Sequence, residues 1–300
     1  MVNSSGTGTV AANAGSTGTV DVSSSSNWNL VSTATGTAQN LTVGHLGNGT
    51  VNINTTGTVT AGNTVIGNGV TGVGTVNVDG ADALMKTAGL TVGQSGTGTL
   101  NITDSGVVNS SGAGAVGAGA NSIGEVNVSN GGLWDLINAS GIRQTLTVGN
   151  NGTGTLNIST GGAVTAGVTT VGGAVAGSGT VNVSGVDAAL NTTALTVGSY
   201  GQGLLTIANN GVVNSTGAGL VGSIANSTGT ANVSSGGQWN LTNNGVAQNL
   251  TVGNNGTGTL NVSTDGRVSA GTTAIGGTTT GVGAVKVDGT SAVLNTTTLT

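Results

Sequence analysis

The chain has 300 residues, of which 60 are Gly, 52 Thr, 35 Asn and 27 Ser, and it contains no Pro, Cys or Phe. Nine acidic and four basic residues give a formal net charge of −5, which argues against a nucleic-acid-binding protein because such proteins present a basic face. The absence of cysteine excludes disulfides and thiolate metal sites. Since no run of residues is apolar enough for a membrane helix, we expect no direct membrane insertion by this segment.

A strict repeat distinguishes the chain from a disordered low-complexity sequence. Its Gly and Ser content is near that of disordered chains, but 35% of the residues are hydrophobic and the mean hydropathy is +0.22. The tetrapeptide Leu-Thr-Val-Gly begins at residues 41, 90, 146, 195 and 250, and its first two residues recur at 299. The spacings of 49, 56, 49, 55 and 49 residues define a doubled unit of about 105 residues.

A second motif, an apolar–polar–apolar triplet, repeats at a shorter period. Eleven copies occur, at residues 20–22, 51–53, 76–78, 100–102, 126–128, 156–158, 181–183, 205–207, 231–233, 260–262 and 285–287. The basic unit is therefore about 25 residues long, and every fourth unit is longer. We expect one domain over residues 1–300, with larger units near 1–40, 41–89, 90–145, 146–194, 195–249 and 250–298.

Each unit contains up to three short segments with the period-2 pattern of β-strands. In one specimen these are residues 146–149, 155–159 and 163–166, separated by Asn-Asn-Gly and Thr-Gly-Gly, which are typical turn residues. One unit buries too little apolar surface to be stable alone, so successive units must stack. The sequence predicts an all-β, right-handed parallel β-helix (β-solenoid) of roughly 11–12 coils, on the order of 50 Å long.

The middle residue of each triplet must point outward if its neighbours point inward. This residue is Asn in eight of the eleven triplets, and the exceptions are Asp21, Thr206 and Lys286. The next outward position is commonly Thr on one side and Ser on the other. We therefore expect one uncharged polar face along the whole solenoid.

These repeats resemble the passenger domains of Gram-negative autotransporters (type V secretion), which have the pattern Leu-x-Val-Gly … Gly-Thr-Leu-x-Ile … Gly-Gly-x-Val. Residues 146–167 and 250–271 carry the pattern best. The resemblance implies surface display through the outer membrane, a role in adhesion or biofilms, and a C-terminal β-barrel translocator in the full-length protein. Host or matrix glycans or proteins, or neighbouring cells, are the expected partners. Because the chain starts in mid-unit at Val2 and stops two residues into a Leu-Thr-Val-Gly, we expect it to be a fragment of a longer passenger.

Trp28, Trp134 and Trp239 recur on the lengthened units, each two residues before a Leu. One interpretation is a carbohydrate-stacking site repeated along the rod. The other, which we favour, is a core residue that fills a corner, because residues two apart in a strand share a face.

Acidic residues provide the next candidates. Asp79, Asp82 and Asp104, with Lys86 nearby, would suit acid/base hydrolysis or Ca²⁺ binding if stacking brought them together. We favour exposed Asx turns, because the trio occurs once and the sister repeats lack it. The weaker set Asp265, Asp288 and Arg267 is interpreted in the same way.

The remaining motifs are weaker candidates for a functional site. His45 lies in the loop after Leu-Thr-Val-Gly and is expected to be a lone exposed histidine. The Gly-rich stretches lack a phosphate-loop Lys and the Ca²⁺-binding nonapeptide, so we expect no metal and no cofactor. Asn-x-Ser/Thr triplets for glycosylation occur at Asn127, Asn182, Asn232 and Asn261, but they arise automatically from the alternating outward residues.

The sequence thus predicts a non-enzymatic structural or adhesive rod on the bacterial surface. Two alternatives stay open. One is a polysaccharide hydrolase or lyase using the acidic residues named above. The other is an ice-binding Thr/Asn face, which Glu125, Leu204, Ala284 and Lys286 would interrupt.

Overall fold

A computed structural model describes residues 1–32 and 34–300. It confirms the predicted fold class, an all-β parallel solenoid of about 11 turns with about 26 residues per turn. A regular coil contains three strands, which form three faces of the rod. The predicted right-handed winding stays a prediction that rests on the strong preference of parallel crossovers for that hand.

The long-strand face is built from one strand of each coil, and it contains all eleven of the triplets found in the sequence. Its members are Thr17–Val22, Asn48–Asn54, Val73–Asp79, Thr97–Thr103, Ile123–Val128, Thr153–Ser159, Ser178–Ser184, Gln202–Ala208, Thr228–Val233, Thr257–Ser263 and Val282–Asp288. Each strand pairs in parallel with the strands of the coils before and after it.

The other two faces consist of shorter strands. The second face contains Val2–Ser4, Asn27–Leu30, Thr58–Thr60, Leu84–Thr87, Val107–Ser110, Leu133–Leu136, Ala163–Thr165, Ala189–Thr192, Val212–Ser215, Gln238–Asn243, and the first halves of Arg267–Ile275 and Val293–Leu299. The third face contains Gly8–Val10, Leu41–Val43, Thr64–Ile66, Leu90–Val92, Gly114–Val116, Leu146–Val148, Val168–Val171, Ala194–Val197, Gly219–Val221, Leu250–Val252, and the second halves of Arg267–Ile275 and Val293–Leu299.

Stacking is in register, so equivalent residues of successive coils lie next to one another. In the middle of the rod, Leu156 pairs with Val181 and Asn157 pairs with Asn182. A glycine in each long strand allows the close approach that this requires. A Cβ added at Gly154 would overlap the backbone atoms Gly149 N and Val116 O, so any larger residue there would push neighbouring segments apart.

A continuous apolar core fills the centre of the rod. Inward Val, Leu, Ile and Ala residues from all three faces form a single cluster from Val10 to Ala270. At the last coil the same inward positions, such as Val285 and Leu294, are only partly buried. The alternation of buried and half-buried residues along the strands agrees with the period-2 pattern of the sequence.

The lengthened units differ from the others in one place, the corner between the second and third faces. There the extra residues form a small antiparallel hairpin, bridged by Val31 with Ala38, by Ile137 with Arg143, and by Thr242 with Ala247. We call these segments (31–40 without residue 33, 137–145 and 242–249) the corner hairpins. They project from one edge of the rod at intervals of four coils, or about 19 Å.

Candidate functional site

The outward Asn residues of the long-strand face form a hydrogen-bonded ladder. Each amide donates from Nδ2 to the oxygen of the residue one coil earlier. The donors, with donor–acceptor distances, are Asn52 to Asp21 (2.6 Å), Asn77 to Asn52 (2.8 Å), Asn101 to Asn77 (2.8 Å), Asn127 to Asn101 (3.0 Å), Asn157 to Asn127 (2.8 Å), Asn182 to Asn157 (2.9 Å) and Asn261 to Asn232 (2.9 Å). The sequence predicted the row of Asn residues but not that they bind one another.

The ladder is interrupted at Thr206. Asn182 and Asn232 lie on either side of it, since Thr206 pairs in register with both. A threonine side chain is too short to replace an amide in such a row. The ladder therefore consists of one run of seven residues, from Asp21 to Asn182, and a short second run of Asn232 and Asn261.

A second, shorter ladder on the second face was not predicted. Asn214 donates to Asn191 at 3.0 Å, and Asn240 donates to Asn214 at 3.1 Å. The signal was present in the sequence, because each of these residues precedes a residue whose side chain is buried. It was missed because the strands of this face are short and their spacing varies with the corner hairpins.

The tryptophans lie in the core rather than on the surface. Trp134 and Trp239 are fully buried together with Leu136 and Leu241. Their indole Nε1 atoms donate to Ser110 Oγ at 3.0 Å and to Ser215 Oγ at 3.3 Å, so the polar atom of each ring has a partner. The predicted core role is confirmed for both, and a carbohydrate cannot stack on either ring.

Trp28 makes the same kind of contact as the other two tryptophans but is less buried. It is half-buried, and its Nε1 atom donates to Ser4 Oγ at 3.3 Å. The contact repeats the Trp–Ser pair of the two later copies.

The acidic trio is not assembled into a site. Asp79 does stack on Thr103, as predicted, and its Oδ1 atom accepts a hydrogen bond of 2.5 Å from the Thr103 hydroxyl. Asp82 and Asp104 are exposed and have the left-handed φ values of turn residues, 59° and 48°. Lys86 lies on the second face, where it pairs in register with Thr60 and Asn109.

The weaker acidic set is also divided. Asp288 forms an ion pair of 2.9 Å with Lys286 rather than with Arg267. The hydrogen bond and the charge of Lys286 lower the pKa of the Asp288 carboxyl. Both side chains are exposed, so the pair contributes little to stability.

Two minor predictions are changed or sharpened. His45 is half-buried and not exposed, and its Nδ1 atom lies 2.8 Å from Asn68 Nδ2. The prediction was wrong because a neighbour 23 residues away cannot be seen in the local sequence.

The glycosylation triplets overlap with the ladder. Asn127, Asn182 and Asn261 use their Nδ2 atoms as ladder donors, so a glycan on any of them would compete with a ladder hydrogen bond.

The corner hairpins share an anchor that a closer comparison of the repeats would have found. Each hairpin has a Gln at its next-to-last position, Gln39, Gln144 or Gln248, two residues before the next Leu-Thr-Val-Gly. Its backbone N–H donates to the backbone oxygen of a Leu at 2.7–2.8 Å. This Leu is the one that lies two residues after the Trp of the same unit. The Gln side chain donates back into the hairpin, which fixes the direction in which the hairpin leaves the rod.

The hairpins form the walls of two shallow grooves on the second face. One groove, of about 580 Å³, lies between the first two hairpins, with Ala38 and Ile137 as walls and Lys86 and Asn109 on its floor. Another, of about 430 Å³, lies beside the third hairpin. Close to the second hairpin, partial burial raises the pKa of Asp135, and the charge of Arg143 partly offsets this rise.

No family model matches this chain. It is 40% identical over 179 residues to an uncharacterized lipoprotein of Escherichia coli K12, YdeK. That match covers 60% of this chain but only 13% of the relative.

A solved structure is also similar, at a low level. The crystal structure of a TibA fragment, hyper-glycosylated by TibC, is 16% identical to this chain. The similarity covers 98% of both chains, with a TM-score of 0.38. Neither comparison assigns a role to any residue of this chain.

The described residues offer polar surface rather than reactive groups. They include no group of three or more His, Asp or Glu side chains placed to hold a metal ion. In the same part of the chain, no helix is long and apolar enough to cross a membrane. What the arrangement provides is a long, stiff array of amides and hydroxyls with regularly spaced projections.

Proposed function

We propose that this chain is a non-enzymatic structural and adhesive rod, the passenger segment of a bacterial surface-displayed autotransporter. The observation that carries the proposal is the unbroken parallel pairing of eleven long strands around one apolar core. Such a stack behaves as a spacer, because each coil is stabilised by its neighbours along the whole length. The resemblance of the repeats to autotransporter passengers adds to this.

Location at the cell envelope is part of the proposal. A relative of this chain is described as a lipoprotein, and a lipoprotein is attached to a membrane. The chain itself offers a surface suited to water and glycans, since its outward residues are mostly Thr, Asn and Ser. In the full-length protein the anchor would be the β-barrel translocator that the resemblance implies.

The two alternatives have less support. For a hydrolase or lyase, the carboxylates of Asp79, Asp82 and Asp104 would have to converge, yet Asp79 is engaged by Thr103 and the other two occupy exposed turns. For an ice-binding face, the amides would have to be free to order water, yet they are hydrogen-bonded to one another along the ladder.

The proposal is tested by displaying the chain on E. coli through a heterologous translocator. We expect cells that carry it to be retained on surfaces coated with matrix proteins or glycans several-fold better than cells that carry the translocator alone. A matched control lacks residues 90–194, one larger repeat, and joins Gly89 to Leu195 in register. Equal retention of cells with and without the rod would contradict the proposal.

A further inference from the structure

The strand Gln202–Ala208 differs from its neighbours only on its outer surface. Its inward residues Gly203, Leu205 and Ile207 are fully buried, like those of the other long strands. Its outward residues are Gln202, Leu204, Thr206 and Ala208, where the strand one coil earlier has Ser, Thr, Asn and Ser. All four outward residues differ from those of the strand one coil earlier, whereas the inward pattern of Gly and aliphatic residues is unchanged.

This change leaves two ladder groups without partners. Within residues 1–32 and 34–300, Asn182 Oδ1 accepts no hydrogen bond from the next coil, and Asn232 Nδ2 donates none to the coil before it. The two amides are two coils apart, about 10 Å, with the Thr206 hydroxyl between them. The break therefore presents an acceptor and a donor across a gap of about the length of a sugar ring with its substituents.

A shallow cleft borders this break, at the preceding residues of the same three strands. It has a volume of about 330 Å³, and Leu204 and Gln202 line it together with Ser178, Thr180, Thr228 and Thr230. None of the described residues that line it is charged. Two residues before Gln202, Tyr200 is 51% exposed, whereas the tryptophans of the described chain are at least half-buried.

We propose that this cleft binds a neutral carbohydrate. A sugar ring has an apolar C–H face, which suits Leu204 in the cleft and the exposed Tyr200, two residues before Gln202 in the chain. Its edge carries hydroxyls that both donate and accept, which suits the Ser and Thr hydroxyls of the cleft and the unpaired amide groups at its border. Because no charge would compensate an acidic sugar or a phosphate, the site favours an uncharged ligand.

A peptide is a poorer fit for the same surface. Extended peptides bind to sheets mainly by adding a strand to a free edge. The backbone of Gln202–Ala208 is already paired on both sides, with Ser178–Ser184 and Thr228–Val233. Recognition here must come from side chains alone, as in a carbohydrate site.

The inference rests on the proposed adhesive function and names a ligand class and a place for it. The test uses the full chain on a glycan array that carries neutral hexose and N-acetylhexosamine glycans beside sialylated and uronic ones. Calorimetry then measures the affinity for the best neutral glycan. We expect neutral glycans to be bound and acidic ones not to be bound.

The decisive variant is Leu204→Thr combined with Thr206→Asn, which restores the common outer pattern and lets the ladder run through. We expect it to lose at least about tenfold in affinity, with a melting temperature equal to or above that of the parent. The matched control is Thr99→Ala, which changes an outward residue of a distant coil without opening the ladder and should leave the affinity unchanged. Tyr200→Ala should weaken binding without changing stability.

Three results would overturn the site: no neutral glycan is bound, acidic glycans are preferred, or the restored variant binds as well as the parent. The attachment assay separates this from the proposed function. If displayed cells are still retained when they carry the restored variant, the rod is adhesive and only this site is wrong. If no displayed cells are retained, the adhesive function itself fails.

Discussion

The coils that contain Thr153–Ser159 and Gln202–Ala208 show which positions of this solenoid are constrained. Inside, both have Gly, Leu and Ile at the same places, and all are buried. Outside, the first has Thr, Asn and Ser and belongs to the long ladder, whereas the second has Leu, Thr and Ala and interrupts it. The comparison teaches that stacking fixes the inward residues and leaves the outward ones free to carry function.

The largest loss of stability should come from substitutions in the apolar core, and it should be equal in the two coils. Leu156→Ala and Leu205→Ala each remove a fully buried side chain, so each should lower the free energy of unfolding by about 2–5 kcal/mol. Urea denaturation followed by circular dichroism measures both. A cost that differs widely between the two coils would contradict the view that their interiors are equivalent.

The next effect concerns the close approach of the backbone. Gly154→Ala and Gly203→Ala should each cost about 3 kcal/mol, since the new Cβ overlaps backbone atoms of the loop beside it or of the coil before it. The melting temperatures of the two variants should fall together. Gly141→Ala serves as a control for steric overlap, because nothing lies near a Cβ at that position, although its φ of 75° adds some strain of its own.

The ladder itself should give a smaller effect that differs between the two coils. Asn157→Ala removes two rungs, those to Asn127 and from Asn182, and should cost about 1–2 kcal/mol. Thr206→Ala removes no rung and should cost little. Thr206→Asn should instead stabilise the rod by joining the two runs. A Thr206→Asn variant that melts below the parent would show that the coil cannot accept an amide at this position.

The smallest effect depends on pH. The raised pKa of Asp135 means that its charged form is less favourable in the folded than in the unfolded chain. Its contribution to stability is therefore greatest below the unfolded pKa and is lost as the pH rises through the folded one. We expect Asp135→Asn to raise the melting temperature slightly at pH 7 and to have less effect at pH 3. Arg143→Gln should lower stability slightly at pH 7, because Arg143 partly offsets the rise.

Much of the fold could be predicted because it is periodic. The eleven triplets and the spacing of Leu-Thr-Val-Gly identify the strands, the number of coils and the inward residues, including the buried Trp134 and Trp239. The contacts of the candidate functional residues were harder to predict from the sequence. The sequence suggested that Asp79, Asp82 and Asp104 could form a site, but Asp82 and Asp104 lie in exposed turns. The sequence also suggested an exposed His45, but its ring contacts Asn68 of the next coil.

The sequence by itself determined the solenoid, because a period of about 25 residues with inward Val, Leu and Ile has no other way to bury its apolar side chains than by stacking. Tertiary structure alone decided the contacts between coils. It aligned residues 23 to 33 positions apart, turned a row of Asn into a hydrogen-bonded ladder, and formed hairpins from the lengthened corners. The reason is that a rung or a cleft depends on the register of neighbouring coils, which becomes definite only when they pair.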